Sequence, residues 1–453
     1  MTNAAPPSRI LLLTVGTGNP KDLEGSLYTP LRKSIATGDW ARVVLLPSQE
    51  TRIHAESLAT KLTIPVTIET LPEPNDENDV DRCFAHFDRT LAALKADGWT
   101  GANLVADFTR GTKAMSAALV LAGVRHDLTV LRYIEGEREG AGTIKAGTEH
   151  VRQIHPTMAT ARRRFDTARD LFRQGNFAAV LNLLPAPDPP PAAAWPQEFS
   201  PAIAAIRPLA AFCAAWDRLN YKAAAQQIET LDVSGLPTDW TGLWPSDAAF
   251  AWIKALANDP GRDGDLAQRA AWTRRLVCDL VANGERCTDQ ARYEDAVIRA
   301  YRALELLGQI RLFDRCLDSA RLPADHSDVS DFTNYLRNHK KIGQDELAFT
   351  RNPDGTLSAA RERAARLLKR MGDSLAVDLL KFDQDNPQLT TGARNHSILV
   401  HGFTAVDLPD PEPLRHAFQN LEKLILCDGG ADATAHLCHA RWLNGLGGSS
   451  ENS

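Results

Sequence analysis

The chain has 453 residues, of which 43% are hydrophobic and 24% charged, the ordinary make-up of a globular protein with about three domains. With 51 basic and 57 acidic side chains the net charge is −6. This excludes a general basic coat for nucleic acid and argues against stable DNA binding, but it leaves room for a local basic site. The cysteines at 83, 213, 278, 287, 316, 427 and 438 never form C-x-x-C, which reads as reduced thiols in a cytoplasmic setting. No charged start precedes an apolar core at the N-terminus, and the longest mostly apolar run, Ala114–Val124, is shorter than the ~18 residues of a membrane span. No membrane partner is expected.

In chain order, the apolar run Ile10–Val15 ends in glycines, and similar runs follow at Ala41–Leu46, Val66–Leu71, Asn103–Thr109 and Leu128–Ile134. Helical patterns at 21–37, 49–62, 79–97 and 111–126 separate them. Continuous apolar strands alternating with helices predict an α/β Rossmann-like domain over residues 1–150, its parallel sheet covered on both faces. From 151 to 283 the periodicity is helical only, predicting an all-α connector. Within it Leu171–Ala179 is similar to Ala215–Ala223, 44 residues on, each reading as helix, turn at an Asn, helix. Prolines 185, 187, 189, 190, 191, 196 and 201 mark an extended stretch between the two. The acidic loop Asn258–Asp265 lacks the distal Glu of a calcium loop and reads as a solvated turn. An all-α domain is predicted over 284–443, with amphipathic helices at Tyr293–Leu307, Ser358–Met371 and Pro413–Leu426, and 444–453 reads as a disordered tail.

Two loops carry candidate chemistry in the first domain. Thr14-Val15-Gly16-Thr17-Gly18 closes the first strand, where free N–H groups and Thr hydroxyls can hold phosphate oxygens. The dinucleotide fingerprint is incomplete, lacking the third glycine and an acidic residue about 20 positions on. A tight structural turn explains this loop as well as a ligand does. In the second loop, Asp107-Phe108-Thr109-Arg110-Gly111-Thr112-Lys113, hydroxyls, glycine and two cations gather where a helix begins, and dipole, N–H donors and cation there act together on an anion. A merely capped helix would account for Thr109 but not for the set.

Together these motifs resemble the CARF domain of CRISPR-associated proteins, over roughly residues 8–150. The resemblance implies a Rossmann-like homodimer whose two copies clasp a cyclic oligoadenylate, with Thr14, Gly16, Thr17, Gly18, Thr109, Arg110, Gly111, Thr112 and Lys113 forming the ligand site. Cyclic tetra-adenylate is favoured over hexa-adenylate as the activator, although no spacing encodes ring size.

A third candidate lies in Arg394-Asn395-His396-Ser397-Ile398-Leu399-Val400-His401. On a helix, positions seven apart are two turns apart, so Arg394 and His401 project from one face about 10 Å apart along the axis. Arginine stabilises charge developing on a phosphorane, and histidine moves the proton of an attacking 2′-hydroxyl. Random placement gives about three matches to Arg-x(4–6)-His in such a chain, and two occur, the other, Arg321–His326, enclosing Pro323. On spacing alone a structural Arg and a satisfied His are the default.

Arg394-Asn395 with His401, after the helix that carries Tyr301–Glu305, is similar to the HEPN ribonuclease domain. Placed behind a CARF-like domain, it matches the CARF–HEPN ancillary ribonucleases of type III CRISPR systems. That resemblance implies a homodimer in which paired Arg–His motifs cleave single-stranded RNA without a metal or other cofactor. Arg394 and His401 would be catalytic, Asn395 would assist, and the product would be a 2′,3′-cyclic phosphate. His396 lies off the Arg394 face.

Arg363, Arg366 and Arg370 fall at helical spacing, as an RNA-tracking stripe or a solvated face. Cys427, His436, Cys438 and His439 lack the paired spacing of a zinc site. An alternative from another class is a non-catalytic nucleotide sensor with a helical interaction scaffold. A nicotinamide-dependent oxidoreductase fails on the incomplete fingerprint.

Overall fold

The computed structural model describes residues 9–139, 143–144, 148–185, 195–338, 349–386 and 410–447. The chain divides into two compact units, Met1–Thr167 with Leu184–Pro201, and Ala168–Leu183 with Ala202–Ser453.

The first unit alternates strands and helices: β1 (Arg9–Val15), α1 (Thr29–Ala36), β2 (Trp40–Pro47), α2 (Arg52–Ala59), β3 (Val66–Ile68), α3 (Val80–Ala96), β4 (Leu104–Asp107), α4 (Lys113–Arg125) and β5 (Val130–Glu135). A two-stranded hairpin, β6 (Arg138–Glu139) and β7 (Thr143–Ile144), and an edge strand, β8 (His150–Ile154), follow. The main sheet runs in the order β3-β2-β1-β4-β5-β8. All its pairings are parallel except β8 against β5.

Alternation along β1 explains its unbroken apolar sequence. Ile10 and Leu12 pack among Phe87, Leu91, Ala118 and Leu119 of α3 and α4. Leu11, Leu13 and Val15 pack among Leu31, Ile35, Ala55 and Leu58 of α1 and α2. A strand buried on both faces has no place for a polar alternation. The edge strand β8, which the hydrophobic pattern does not announce, is mostly exposed and polar, and Arg152 and His150 pair with Glu135 on β5.

The order has one functional consequence. From β1 the chain moves outward to β2 and β3, and from β4 it moves the other way to β5. The carboxyl ends of β1 and β4, side by side, form the topological switch point where ligands enter such sheets.

Helix α5 (Thr157–Arg173) leads out of the sheet region. The second unit contains α6 (Phe177–Leu183), α7 (Ser200–Asp217), α8 (Tyr221–Ile228), α9 (Asp247–Ala257), α10 (Leu266–Asp289), α11 (Tyr293–Phe313) and α12 (Ser327–Asn338). A short hairpin, β9 (Thr350–Arg351) and β10 (Leu357–Ser358), precedes α13 (Arg361–Arg370) and α14 (Ala376–Asp385), and the long helix α15 (Glu412–Ala440) follows. Helices α10, α11 and α15 pack on one another. The segment Gln197–Asp217 is long and apolar enough to cross a membrane by length and composition, a longer stretch than Ala114–Val124. Its side chains Ile203, Ile206, Leu209, Phe212 and Trp216 are buried among the helices of the unit, which accounts for its composition as that of a core helix.

The two similar sequences at 171–179 and 215–223 form the same junction. In each, an N–H beyond the first helix reaches a carbonyl five residues back, Asn176 to Leu171 and Asn220 to Ala215, both at 2.9 Å. Gly175 and Leu219 between them adopt positive φ. A third junction of this kind joins α10 to α11. There Arg292 N–H reaches the Cys287 carbonyl at 2.8 Å and Ala291 has φ +55°.

The end of the chain departs from expectation. Residues 441–447, read partly as a disordered tail from 444, form a 3-10 turn, Arg441–Gly447. Leu443 and Leu446 are buried, and the Asn444 side chain donates to Glu285 at 3.0 Å and accepts from Arg286 at 2.6 Å. Two apolar side chains and a satisfied amide hold this stretch to α10. Residues 448–453 lie outside the described residues.

Candidate functional site

The two loops of the sheet unit meet at the switch point, and glycine makes the approach possible. A Cβ on Gly16 would lie 2.9 Å from the Gly111 backbone nitrogen, and one on Gly111 would lie 3.1 Å from Thr14 Cβ. Gly111 has φ +137° and Gly18 φ +68°, regions that suit glycine. Gly16 is therefore accounted for by backbone contact between the loops.

Beneath them Asp107, 1% exposed, organises the second loop. It accepts hydrogen bonds from the Thr109 N–H at 2.9 Å, from the Thr109 hydroxyl and from Ser34 Oγ on α1. Arg132, 2% exposed on β5, pairs with it at 3.3 Å and lies over the Trp40 ring at 4.7 Å. Burial pulls the Arg132 guanidinium below its ordinary value, opposed by Asp107. Ser34, Trp40 and Arg132 are functional supports that the motif reading misses. A charge in the middle of Leu128–Ile134 was the available signal.

The structure separates the expected ligand residues by what their polar atoms already do. The Thr109 hydroxyl donates to Asp107 and accepts from the Ile134 N–H at 2.9 Å. The Thr112 hydroxyl caps α4 by accepting from Met115 N–H at 3.1 Å and donates to the Glu77 carbonyl. Thr14 is fully buried, and its hydroxyl has no partner among the described residues. These three threonines shape the loops. Thr17 and Lys113 are exposed, while Gly18 and Arg110 are half-buried. Arg110 Nε is buried without a hydrogen-bond partner. Its guanidinium is held below its ordinary value by burial, with Asp107 and Glu149 acting the other way. An arginine stays charged under such conditions. A half-buried cation with a free donor, beside exposed Lys113 at the start of α4, fits an anionic ligand.

In the helical unit most guanidiniums are already committed. Arg274, Arg311 and Arg315 interlock with Asp314, Asp373 and Asp428, linking α10, α11 and α15 to the turn between α13 and α14. Asp373, fully buried, is held below the usual carboxylate value by Arg311, Arg315 and the Leu375 N–H, against its burial. Arg441 pairs with Glu285 and Glu422 and is raised by both. Arg361 pairs with Asp383 and lies over Tyr301. Arg366 pairs with Glu362 and Arg370 lies over Tyr335, so these two members of the basic stripe sit on a helix face with partners of their own. Glu305 pairs with Arg302. Among the described residues no cluster of three or more His, Cys, Asp or Glu is set to hold a metal ion. His436 and His439 lie against the Trp252 ring instead.

Arg394, Asn395, His396 and His401 lie outside the described residues. The ends of the segment that carries them are defined. Buried Asn386, just after α14, accepts from Asn420 Nδ2 on α15 at 3.1 Å. Helix α15 itself starts at Glu412, about 12 Å along the axis from Asn420. The described residues on either side of the segment, Asn386 and the first turns of α15, are thus in contact with each other. Arg415 there pairs with Asp289 at the end of α10 at 3.0 Å.

A family model described as the Csm6 HEPN domain matches residues 267–425. No curated protein matches the sequence. Among solved structures the chain is similar to "Enterococcus italicus Csm6 bound to cyclic hexa-2'-fluoro-hexa-dAMP", at 13% identity over 97% of this chain and 100% of that one, with a TM-score of 0.48. The family match begins in α10, ends in α15, and spans the segment with Arg394 and His401. Residues 267–425 are thus similar to the Csm6 HEPN domain and lie C-terminal in the chain to a Rossmann-like sheet unit.

Proposed function

We propose that the chain is an endoribonuclease of type III CRISPR antiviral defence, activated by a cyclic oligoadenylate and cleaving single-stranded RNA as a cytoplasmic homodimer. The observation that carries this reading is the Csm6 HEPN match across residues 267–425, which includes the Arg394–His401 pair. Supporting it, the switch-point loops present Arg110 and Lys113 to an anionic ligand, and a cyclic oligoadenylate carries one negative charge per phosphate.

In the proposed reaction the substrate 2′-hydroxyl attacks the adjacent phosphorus and the bond to the 5′-oxygen breaks. His401 manages the proton leaving the 2′-oxygen, and a proton returns to the 5′-oxygen. Arg394 stabilises the charge on the phosphorane, with Asn395 orienting the phosphate. The products are a 2′,3′-cyclic phosphate and a 5′-hydroxyl. Pairing of two chains brings two Arg–His motifs to one composite site. The reaction is proposed to proceed without a metal ion.

The test is cleavage of single-stranded RNA in EDTA, with and without cyclic tetra- or hexa-adenylate. Activity that survives chelation, rises with one of the rings and is lost in His401→Ala is expected. Cleavage abolished by EDTA, or undiminished in His401→Ala, would overturn the mechanism. Ligand binding with no RNA turnover under any condition would make the chain a non-catalytic sensor. Lys113→Ala is expected to lose the response to the ring, and normal activation would remove the ligand site from these loops.

A further inference from the structure

The three similar helix junctions converge. The turns at 173–178, 217–218 and 289–292 line one groove of about 800 Å³ in the helical unit, closed on one side by Leu443 and Asn444. Four arginines face it, Arg173, Arg218, Arg286 and Arg292, against the carboxylates of Asp217 and Asp289. This is a local surplus of positive charge in a chain whose net charge is −6.

The carboxylates do not offset that surplus. Asp217 is shared between Arg286 at 3.0 Å and Arg292 at 3.7 Å. Asp289 is held by Arg415. Among the described residues neither Arg173 nor Arg218 pairs with a carboxylate, and Arg173 Nε is buried with no hydrogen-bond partner. Arg286, 5% exposed, leaves one terminal nitrogen unpartnered as well. Elsewhere in this unit Arg274, Arg311, Arg315 and Arg441 are tied to carboxylates. The contrast singles out this groove as a place with donors left over, and guanidiniums with free donors suit phosphate oxygens.

Position identifies the phosphate source. Asp289, on the rim, grips Arg415 three residues inside α15, directly after the segment that carries Arg394 and His401. We propose that the groove holds the sugar–phosphate backbone of the single-stranded RNA substrate beyond the cleaved bond, with Arg173 and Arg218 as its phosphate contacts. This rests on the ribonuclease reading above and adds to it a place for the strand away from the reacting atoms. The turns also expose the side-chain amides of Asn176 and Gln174, donors and acceptors for ribose hydroxyls.

The test uses full-length protein carrying His401→Ala, so that bound RNA is not consumed. Affinity for a fluorescent 20-nucleotide single-stranded RNA is measured across a salt series, with and without the pair Arg173→Ala and Arg218→Ala. Loss of two phosphate contacts is expected to weaken binding several-fold and to lower the salt slope by about 1.4. Arg173→Lys with Arg218→Lys is expected to restore most of it, since lysine supplies the charge without the fork. In the active protein the Ala pair is expected to raise KM for the same RNA more than it lowers kcat. Unchanged affinity and slope in the Ala pair would overturn the proposal, as would double-stranded DNA binding the groove as tightly as the RNA. Failure of the ribonuclease reading would appear separately, as absence of cleavage by the parent protein.

Discussion

At the residue scale, the switch-point loops depend on a side chain buried beneath them. Asp107 is buried, fixes Thr109 by two hydrogen bonds, and neutralises Arg132. Breaking a buried pair by removing one partner leaves a desolvated charge, and Asp107→Ala is expected to cost about 3–5 kcal/mol of sheet-domain stability. Denaturant unfolding followed by tryptophan fluorescence checks this, and a loss below about 1 kcal/mol would contradict the hub role. Gly16→Ala tests the loops themselves. Its Cβ would meet the Gly111 nitrogen at 2.9 Å, so the two loops must part. Loss of the response to cyclic oligoadenylate is expected, with the melting of the helical unit unchanged.

At the element scale, α10 carries the strongest internal ties. Asp279 near its middle is fully buried and accepts hydrogen bonds from Trp216 at 2.8 Å, Tyr221 at 2.8 Å and Trp252 at 3.2 Å. It joins α7, α8 and α9 to the helix where the HEPN match begins. Asp279→Ala orphans three donors and is expected to destabilise by about 3–5 kcal/mol. Asp279→Asn should be far milder, because its oxygen still serves both tryptophans and the Tyr221 hydroxyl can turn to accept. Asp373 predicts a pH effect. Its value in the folded chain lies below the ordinary 3.8. Its stabilising contribution is therefore fully present above 3.8 and is lost as pH falls through the lower folded value. Asp373→Asn should remove about 2 kcal/mol near neutrality and flatten the acid limb of the stability curve below pH 4. An unchanged acid limb would place the effect elsewhere. These ties were not legible in the sequence, because each joins positions tens of residues apart. The parallel strands were legible, since burial on both faces leaves a continuous apolar run such as Ile10–Val15. The exposed edge strand β8 was not, because its side chains are polar. The third junction escaped notice because Ala291 and Arg292 stand where Gly175 and Asn176 stand in the first, and backbone geometry relates them better than residue identity does.

At the scale of the whole molecule, the net charge of −6 and the local cations are compatible because the positive chemistry is confined. Arg110 and Lys113 lie at the switch point, and Arg173 and Arg218 lie at the groove, while the larger arginine network is neutralised within the fold. The two glycine-bearing loops were legible as turns that meet at the sheet edge, because each follows an apolar strand. Which of their hydroxyls remain free was not, because Glu77 and Asp107 meet them only in three dimensions. If the ring activates RNA cleavage by favouring one arrangement of the dimer, the same coupling must run in reverse, since linkage between two binding equilibria is reciprocal. Single-stranded RNA held by the His401→Ala protein should then tighten binding of the cyclic oligoadenylate by the factor with which the ring tightens RNA. A coupling of 1–3 kcal/mol corresponds to about 5- to 150-fold, within reach of calorimetric titration of the ring with and without saturating RNA. Equal ring affinity in both titrations, in a protein whose cleavage the ring stimulates, would place activation in the chemical step and not in RNA binding.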